Sequence, residues 1–321
     1  MSDALRLDNV VKRFGDHVAV DHVSLRIPRG AIYGFLGPNG AGKTTTIRMV
    51  MSILYPDAGT IDILGQPDAE GIKDRLGYLP EEKGLYKGMR TLEILTYFGR
   101  LKGMRGRDAR RRGRELLERY GLGEWTNKKC QALSKGMGQK VQILGTLIHD
   151  PELVILDEPF SGLDPVNIEL MRDVILQMKR DGRTVIFSTH ILGQAEELCD
   201  SILLINKGRK ILDGTLGEIK ATGDRGIVVD YDGDGQVLRD LPGVARLNDA
   251  GKTAEIFLEP GVDPQDILGR LVGRLTIRRF DLREPSLHEI FVRAVREDGG
   301  AEAVAEAIAA FEKPNRAPAE V

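Results

Sequence analysis

The chain has 321 residues, of which 41% are hydrophobic, and a formal net charge of −2. This length allows one large domain and a smaller one, and the balanced charge provides no overall basic field for nucleic acid. Cys130 and Cys199 lie far apart in sequence without His or Cys neighbours at ligand spacing, which predicts a reducing compartment and excludes a disulfide framework or a zinc site.

The polar start, Met-Ser-Asp-Ala-Leu-Arg, does not resemble a signal peptide. No apolar run approaches the roughly 20 residues that a membrane-spanning helix needs. We therefore expect a soluble chain that reaches a membrane only through a partner.

Short strands joined by turns are predicted over residues 4–30, followed by an apolar strand at Ala31–Leu36. Residues 37–44, Gly-Pro-Asn-Gly-Ala-Gly-Lys-Thr, then match the phosphate-loop pattern G-x-x-x-x-G-K-[ST] without a mismatch. A helix is predicted from Lys43 to about Leu54. This order of strand, glycine loop and helix is the context that the motif requires.

The chemistry of this loop is phosphate binding. Its glycines let backbone N–H groups surround phosphate oxygens, Lys43 reaches the β- and γ-phosphates, and Thr44 places a hydroxyl on Mg²⁺. The alternative, a glycine-rich turn without a ligand, is disfavoured by the flanking segments. The predicted ATP-binding residues of the loop are Gly37, Pro38, Asn39, Gly40, Ala41, Gly42, Lys43, Thr44 and Thr45.

Residues 85–150 predict a helical region that follows strands at Thr60–Leu64 and Leu76–Leu79. Between Arg100 and Arg119 it carries nine basic and three acidic residues. The simplest interpretation is a solvated helical face, and a face near anionic lipid headgroups is an alternative. Nucleic-acid binding has less support because aromatic residues are not interleaved.

Near-continuous apolar runs at residues 153–156, 184–187 and 201–205, separated by helical stretches, predict buried parallel strands with helices on both faces. Asp157 and Glu158 end the first run, where ligands of open α/β sheets collect. We expect Asp157 to hold Mg²⁺ and Glu158 to act as general base toward water. Either acid alone could be a structural strand end. His190 ends the next run; a lone His there is more often a polar cap, but the neighbouring Glu158 favours a role at the γ-phosphate or the water.

A second domain is predicted beyond Thr222, where Gly and Asp become dense. It contains strands at 227–231, 254–258 and 275–280 and helices at 264–271 and 286–295. The predicted limits are 1–222 for the nucleotide-binding domain, 223–297 for a small α+β domain and 298–321 for a partly disordered tail. The Ala- and Glu-rich start of this tail, from Ala301, is compatible with a short helix.

Residues 4–215 resemble an ATP-binding-cassette (ABC) ATPase. The segment Leu133–Lys140 resembles the family's signature loop, although the commonest form has Gly where Lys135 stands and Gln or Lys nearer Met137. Leu153–Glu158 resembles the Walker B strand, Ser161–Asp164 the D-loop, and His190 the switch histidine. The resemblance assigns Phe14 to adenine stacking and assigns nucleotide contacts in trans, from a second cassette, to Ser134, Lys135, Gly136 and Gln139, with Asp164 in the D-loop.

Glu81 occupies the position where the family normally has the Gln of its Q-loop. A carboxylate there either binds Mg²⁺ more strongly than Gln would, or lies on a displaced loop that only faces solvent. The sequence leaves the two alternatives open.

The resemblance implies an α/β P-loop NTPase core, with a parallel sheet, an antiparallel β-subdomain and a helical subdomain, plus the small α+β domain. It also implies ATP hydrolysis with Mg²⁺, pairing as a homodimer or with a second ABC ATPase, and attachment through permease subunits to the cytoplasmic face of the cell membrane. The segment Arg283–Phe291 resembles the C-terminal domain of sodium- and drug-efflux-like exporters.

An alternative is a soluble ABC ATPase acting on nucleic acid or ribosomes. Such proteins usually carry two cassettes or a long coiled-coil insertion, and this sequence shows one phosphate loop and no such insertion. A P-loop GTPase or kinase would need its own base-recognition or acceptor motifs, and the signature loop argues against it. We therefore expect an exporter ATPase and no nucleic-acid partner.

Overall fold

The structure is a computed structural model that describes residues 3–81, 84–224 and 226–312. The described residues form two compact units, one within Met1–Thr215 and Ala301–Val321 and the other within Leu216–Gly300. Across these described ranges, no helix combines the length and the apolar character needed to cross a membrane.

The elements of the first unit follow one another as β1 (Asp3–Phe14), β2 (His17–Pro28), β3 (Ile32–Leu36), α1 (Lys43–Val50), β4 (Ala58–Ile63), β5 (Leu76–Leu79), α2 (Thr91–Leu101), α3 (Gly106–Arg119), α4 (Lys135–Leu147), β6 (Leu153–Leu156), α5 (Pro165–Arg180), β7 (Thr184–Thr189), α6 (Leu192–Leu198), β8 (Ser201–Asn206) and β9 (Arg209–Thr215).

The central sheet has the strand order β5-β6-β7-β3-β8-β9, and every neighbouring pair is parallel except β8 with β9. Strands β3, β6 and β7 are buried along their whole length, which explains their continuous apolar sequences. Because parallel strands end at the same edge, the segments after β3, β5, β6 and β7 lie along one edge of the sheet. The predicted parallel sheet is confirmed, and this edge carries the candidate site.

A separate antiparallel sheet has the order β2-β1-β4. Its inward side chains, such as Leu5 and Val20, join Phe35 of β3 and Ile47 of α1 in one hydrophobic core. This sheet is the predicted antiparallel subdomain. Through the shared core, it holds the end of β1, and with it Phe14, beside the loop between β3 and α1.

The region between β5 and β6 contains the predicted helices, α2, α3 and α4. In α3 the buried residues recur at positions i, i+4, i+7 and i+8 and form one face: Ala109, Gly113, Leu116 and Leu117. The basic side chains of the opposite face are exposed: Arg107, Arg110, Arg111 and Arg114. This arrangement agrees with a solvated face, and contact with lipid stays a prediction.

The opposite edge of the central sheet is held by ion pairs. Glu152, just before β6, accepts hydrogen bonds from Nε of Arg75 at 2.5 Å and from Nη1 of Arg29 at 2.8 Å. The Arg75 hydrogen bond is the main reason why the pKa of Glu152 falls to about 2. These bonds connect the segments that lead into β3, β5 and β6, so the amino ends of three strands share one carboxylate.

The second unit contains α7 (Leu216–Ala221), β10 (Gly226–Asp232), α8 (Gln236–Arg239), β11 (Val244–Asp249), β12 (Thr253–Leu258), α9 (Pro264–Leu271), β13 (Thr276–Arg283) and the first part of α10 (Leu287–Glu312). Its antiparallel sheet has the order β11-β12-β10-β13. Alternate residues of β10, Ile227, Val229 and Tyr231, share a buried core with Ile267 and Leu271 of α9. The predicted α+β character is confirmed.

Several features of this unit differ from the sequence predictions, and helices α7 and α8 are among those not predicted. Strand β11 was not predicted because apolar and polar residues do not alternate regularly along Val244–Asp249, and its pairing with β12 supplies the backbone hydrogen bonds that the sequence pattern cannot show. Helix α10 continues to Glu312, beyond the predicted end at Val295, so the Ala- and Glu-rich stretch from Ala301 is part of it and not a separate short helix. Residues 313–321 of the predicted tail lie outside the described residues. The domain limits 1–222 and 223–297 stay a prediction.

Candidate functional site

The phosphate-loop sequence forms the turn between β3 and α1. Gly37 and Gly42 have φ angles of 152° and 106°, which residues with side chains rarely adopt. A Cβ atom at Gly37 would also collide with the carbonyl oxygen of Ile205, and one at Gly42 with that of Ala19. The glycines are therefore required for the loop to pass close to its neighbours. Helix α1 starts directly behind the loop, so its unsatisfied N-terminal N–H groups face the same space.

Lys43, the first residue of α1, holds its ammonium group inside this loop. The side chain is buried, and Nζ donates to the carbonyl oxygens of Gly37 at 2.7 Å and Pro38 at 3.1 Å. Burial lowers the pKa of Lys43, and the carboxylates of Glu158 and Asp157 partly offset this effect. A largely desolvated ammonium in a loop of this shape forms strong charge-assisted hydrogen bonds with phosphate oxygens.

Asp157 follows β6 and is completely buried. Its Oδ1 accepts hydrogen bonds from Oγ of Ser188 at 2.5 Å and from Oγ1 of Thr44 at 3.3 Å. Its Oδ2 is buried and has no hydrogen-bond partner among the described residues. Burial raises the pKa of Asp157, whereas the bonds from Ser188 and Thr44 lower it.

The surroundings of Asp157 fit a divalent cation. A buried carboxylate oxygen without a partner is costly unless a cation or a donor occupies the adjacent space, and the hydroxyl of Thr44 is beside the same carboxylate. The described residues contain no cluster of three or more His, Cys, Asp or Glu side chains that could hold a metal. Mg²⁺ does not require one, because it is commonly bound by one or two carboxylates together with water and substrate phosphates.

Glu158 and His190 lie together at the ends of β6 and β7, the neighbouring strands that the sequence predicted. Nδ1 of His190 is 3.1 Å from both carboxylate oxygens of Glu158, and Nζ of Lys43 is 3.8 Å from Oε1. The Glu158 side chain is nearly buried, and its backbone adopts a φ of 48°, an unusual left-handed conformation for a residue other than glycine. Its backbone N–H donates to Oγ of Ser188 at 2.9 Å. Such strained residues cluster at functional sites.

One cleft of about 260 Å³ brings most of the predicted nucleotide-contacting residues together. Phe14 and His17 lie at one part of its wall, the phosphate loop from Asn39 to Thr45 at another, and Glu81 and Glu158 complete it. Phe14 is 48% exposed, so its ring is accessible to a stacking base. Glu81 is therefore a cleft residue rather than one that only faces solvent, and its contact with a metal stays a prediction.

The signature segment lies apart from these cleft-lining residues, at the start of α4. Oγ of Ser134 accepts a hydrogen bond from the N–H of Met137 at 3.3 Å and caps the helix, while Lys135 is exposed. Asp164 caps α5 in the same way, accepting from the N–H of Asn167 at 3.0 Å. The predicted contacts of the signature residues in trans stay predictions, and a second chain would have to provide the nucleotide.

Two signature residues contact other parts of their own chain. Gly136 packs against the Asn167 side chain so closely that a Cβ atom would collide with it. Gln139 is buried, with 4% of its surface exposed, and its Nε2 donates to the carbonyl oxygen of Pro159. The side chain of Gln139 thus points into its own chain rather than to the exposed surface that a trans contact would use.

Comparison with known proteins identifies the family to which this chain belongs. The ABC transporter family profile matches residues 20–161, and the profile for the C-terminal domain of DrrA1-3-like ATP-binding proteins matches residues 214–295. YhaQ of Bacillus subtilis, an uncharacterized ABC transporter ATP-binding protein, is 41% identical over 292 residues, which are 91% of this chain and 98% of that protein. The chain belongs to the ABC transporter ATP-binding proteins.

Two further proteins resemble this ABC ATPase. The Nod factor export ATP-binding protein I of Burkholderia lata is 36% identical, over 89% of this chain and 94% of that protein. A solved ATP-binding subunit of an ABC transporter superposes with a TM-score of 0.61 at 32% identity, over 68% of this chain and 92% of that one. ABC ATPase domains bind and hydrolyse ATP, so the predicted fold and activity are confirmed.

The structure of this ABC ATPase adds three residues that the sequence did not single out. Ser188 forms hydrogen bonds with both Asp157 and the backbone of Glu158. Its position at a strand end, two residues before His190, is the sequence signal that could have identified it. His17 lines the cleft beside Phe14, at the start of β2. Pro159 accepts the hydrogen bond from Gln139, for which the sequence offers no signal.

Proposed function

We propose that this ABC ATPase is the ATP-hydrolysing subunit of a multi-subunit membrane exporter that acts at the cytoplasmic face of the cell membrane through permease subunits. The observation that carries the proposal is one cleft containing a phosphate loop and Glu158, with Asp157 beside Thr44, in a chain whose C-terminal part matches the DrrA-like domain. The similar protein named for Nod factor export supports the direction of transport.

ATP binding uses the cleft from end to end. Phe14 stacks on the adenine ring, and the backbone N–H groups of residues 39–45 surround the phosphates. The ammonium of Lys43, which lies among loop carbonyls, moves its hydrogen bonds to the β- and γ-phosphates. Binding energy therefore comes mostly from the loop and from one buried cation.

Hydrolysis needs charge neutralisation and an activated water. Thr44 and Asp157 would hold Mg²⁺, with Glu81 as a further ligand, and the ion would neutralise negative charge on the phosphates. Glu158 accepts a proton from the attacking water, and its place beside Lys43 sets it close to the γ-phosphate. His190 orients the Glu158 carboxylate through Nδ1.

The effect of the unusual Glu81 can be measured directly. We expect Glu81→Gln to raise the Mg²⁺ concentration for half-maximal ATPase activity by about 3- to 10-fold, because a neutral carbonyl replaces a charged ligand. ATPase rates across a Mg²⁺ titration at saturating ATP would show this shift. Glu124→Gln, an exposed glutamate remote from the cleft, serves as the control. Superimposable titrations for Glu81→Gln and wild type would show that Glu81 does not bind the metal.

The working unit of this proposal is a pair of ABC ATPases, either two copies of this chain or this chain with a second subunit. Ser134, Lys135 and Gly136 start a helix and lie apart from the cleft of their own chain, so the γ-phosphate that they contact belongs to the partner. ADP lacks that phosphate and therefore lacks the contact, which makes closing of the pair dependent on ATP.

The permease subunits need a docking surface. An apolar groove of about 530 Å³ lies between the end of α1, the end of β5 and helices α2 and α4, and it includes Ile53, Tyr78, Phe98 and Leu101. Leu101 is 65% exposed and sits on the helical region. We propose that a cytoplasmic helix of each permease binds in this groove, next to the Glu81 segment.

Co-purification tests the exporter role. A tagged chain that is expressed in its native organism and extracted from membranes in mild detergent should co-purify with polytopic membrane proteins. Leu101→Asp should reduce their yield several-fold, because it places a charge in the groove. Leu282→Asp, on a leucine that is 61% exposed in the second unit, is the matched control. Recovery of ribosomal proteins or DNA in place of membrane proteins would instead support the soluble alternative.

A further inference from the structure

Gln139 of α4 makes a buried contact with the turn that carries Glu158. Its Nε2 donates to the carbonyl oxygen of Pro159, the residue directly after Glu158. Gln139, Glu158 and Pro159 are all buried. A proline has no N–H, so this carbonyl is the only backbone group through which Pro159 can form a hydrogen bond.

The Glu158 turn requires support from outside. A non-glycine residue with a φ of 48° is strained, and such conformations persist only where surrounding groups hold them. Ser188 of β7 holds the N–H of Glu158 at 2.9 Å. Gln139 of α4 holds the carbonyl of the next residue, Pro159. Two polar side chains from different elements thus hold the backbone of this turn, while His190 contacts the Glu158 carboxylate itself.

The helix that carries Gln139 also carries the signature segment. Lys135 and Gln139 are four residues apart on α4, one helical turn. A Cβ atom at Gly162 would collide with the Lys135 ammonium, so this cation lies over the loop between β6 and α5. The first turn of α4 and the Glu158 turn are therefore linked through a short path of direct contacts within one chain.

We propose that Gln139 is a positioning residue that sets the orientation of Glu158 and so ties hydrolysis in one cleft to the signature helix of the same chain. This inference rests on the proposed role of Glu158 as general base. Gln139 does not touch the nucleotide of a partner; it acts through the Pro159 carbonyl. A shift of α4, when its first turn gains or loses a phosphate, reaches Glu158 through this hydrogen bond.

Gln139→Met tests the proposal, because methionine preserves the size of the side chain and removes the amide that donates to Pro159. We expect kcat to fall about 3- to 10-fold with an unchanged ATP dissociation constant, the effect of one lost hydrogen bond. The control is Gln177→Met, whose amide donates to Asp181 at the far end of α5, and it should leave kcat unchanged. Circular dichroism and ATP titration confirm that each variant is folded.

Two further measurements separate positioning from other roles. In a Glu158→Gln background, Gln139→Met should produce no further loss of the residual rate, since both changes act on one group. ATP-driven pairing of the Glu158→Gln chain, measured by light scattering, should be unaffected by Gln139→Met.

A normal kcat for folded Gln139→Met, or losses that multiply in the double variant, would overturn the proposal, and so would weakened pairing, which indicates a contact in trans. If Glu158→Gln alone retains full ATPase activity, the general-base assignment fails first. If Glu158→Gln is inactive but Gln139→Met is normal, only the positioning role fails.

Discussion

Replacing Glu158 with glutamine is expected to lower the ATPase rate by about 10²- to 10⁴-fold, the usual contribution of a positioned general base. Glutamine is nearly isosteric with glutamate, so its contacts with Ser188 through the backbone and with His190 through the side chain have room to form. What is lost is the group that accepts the proton from water. Steady-state phosphate release at saturating Mg-ATP measures the effect.

The same variant should still bind ATP and should accumulate as a closed pair. Loss of hydrolysis preserves the γ-phosphate, which is the group that distinguishes the closed form from the ADP form. Size-exclusion chromatography with light scattering in Mg-ATP would show a dimer for Glu158→Gln. Glu169→Gln, an exposed glutamate of α5 that pairs with Arg172, is the matched control and should turn over ATP normally. A monomeric Glu158→Gln with bound Mg-ATP would contradict the paired mechanism.

Removal of the Lys43 ammonium should weaken ATP binding by about 10- to 100-fold, the range for a buried hydrogen bond to a charged group. In Lys43→Ala the loop loses its buried cation, and the carboxylate of Glu158 loses a positive neighbour at 3.8 Å. The phosphates would then approach Glu158 and Asp157 without a compensating charge. Titration with a fluorescent ATP analogue at constant Mg²⁺ measures the dissociation constant.

The matched control for this experiment is Lys179→Ala. Lys179 is partly exposed and pairs with Asp200 at 2.5 Å, away from the cleft, so its loss should leave ATP affinity unchanged. Lys43→Arg should also bind ATP poorly, because the enclosed space around Lys43 holds a single ammonium between the Gly37 and Pro38 carbonyls. An unchanged affinity in Lys43→Ala would mean that the phosphates bind elsewhere.

Sequence patterns predicted much of the site because its parts are encoded over short stretches. The glycines of residues 37–42 and the apolar runs before Asp157 and His190 are local signals for a loop and for buried strand ends. Since buried parallel strands end at one sheet edge, their terminal residues had to meet there. The resemblance to ABC ATPases added Phe14, and the structure places it on the cleft wall.

Other parts of the site depend on long-range contacts and could not be predicted. The residue type of Glu81 does not indicate whether its loop turns toward the cleft or away from it. Only the path of the chain after β5 brings Glu81 to the cleft. Strand β11 was missed for a similar reason, since its pairing partner, rather than its own composition, makes it a strand.

The phosphate loop itself was determined by the sequence alone, because glycine at three positions and lysine at the helix start leave one backbone path and one chemistry. The tertiary structure decided how that loop is completed. The hydroxyl groups of Thr44 and Ser188, from two distant segments, both donate to the carboxylate of Asp157. Gln139 points into its own chain and holds the Glu158 turn. Those arrangements depend on packing between segments, where direction and distance, rather than residue type, decide what a side chain contacts.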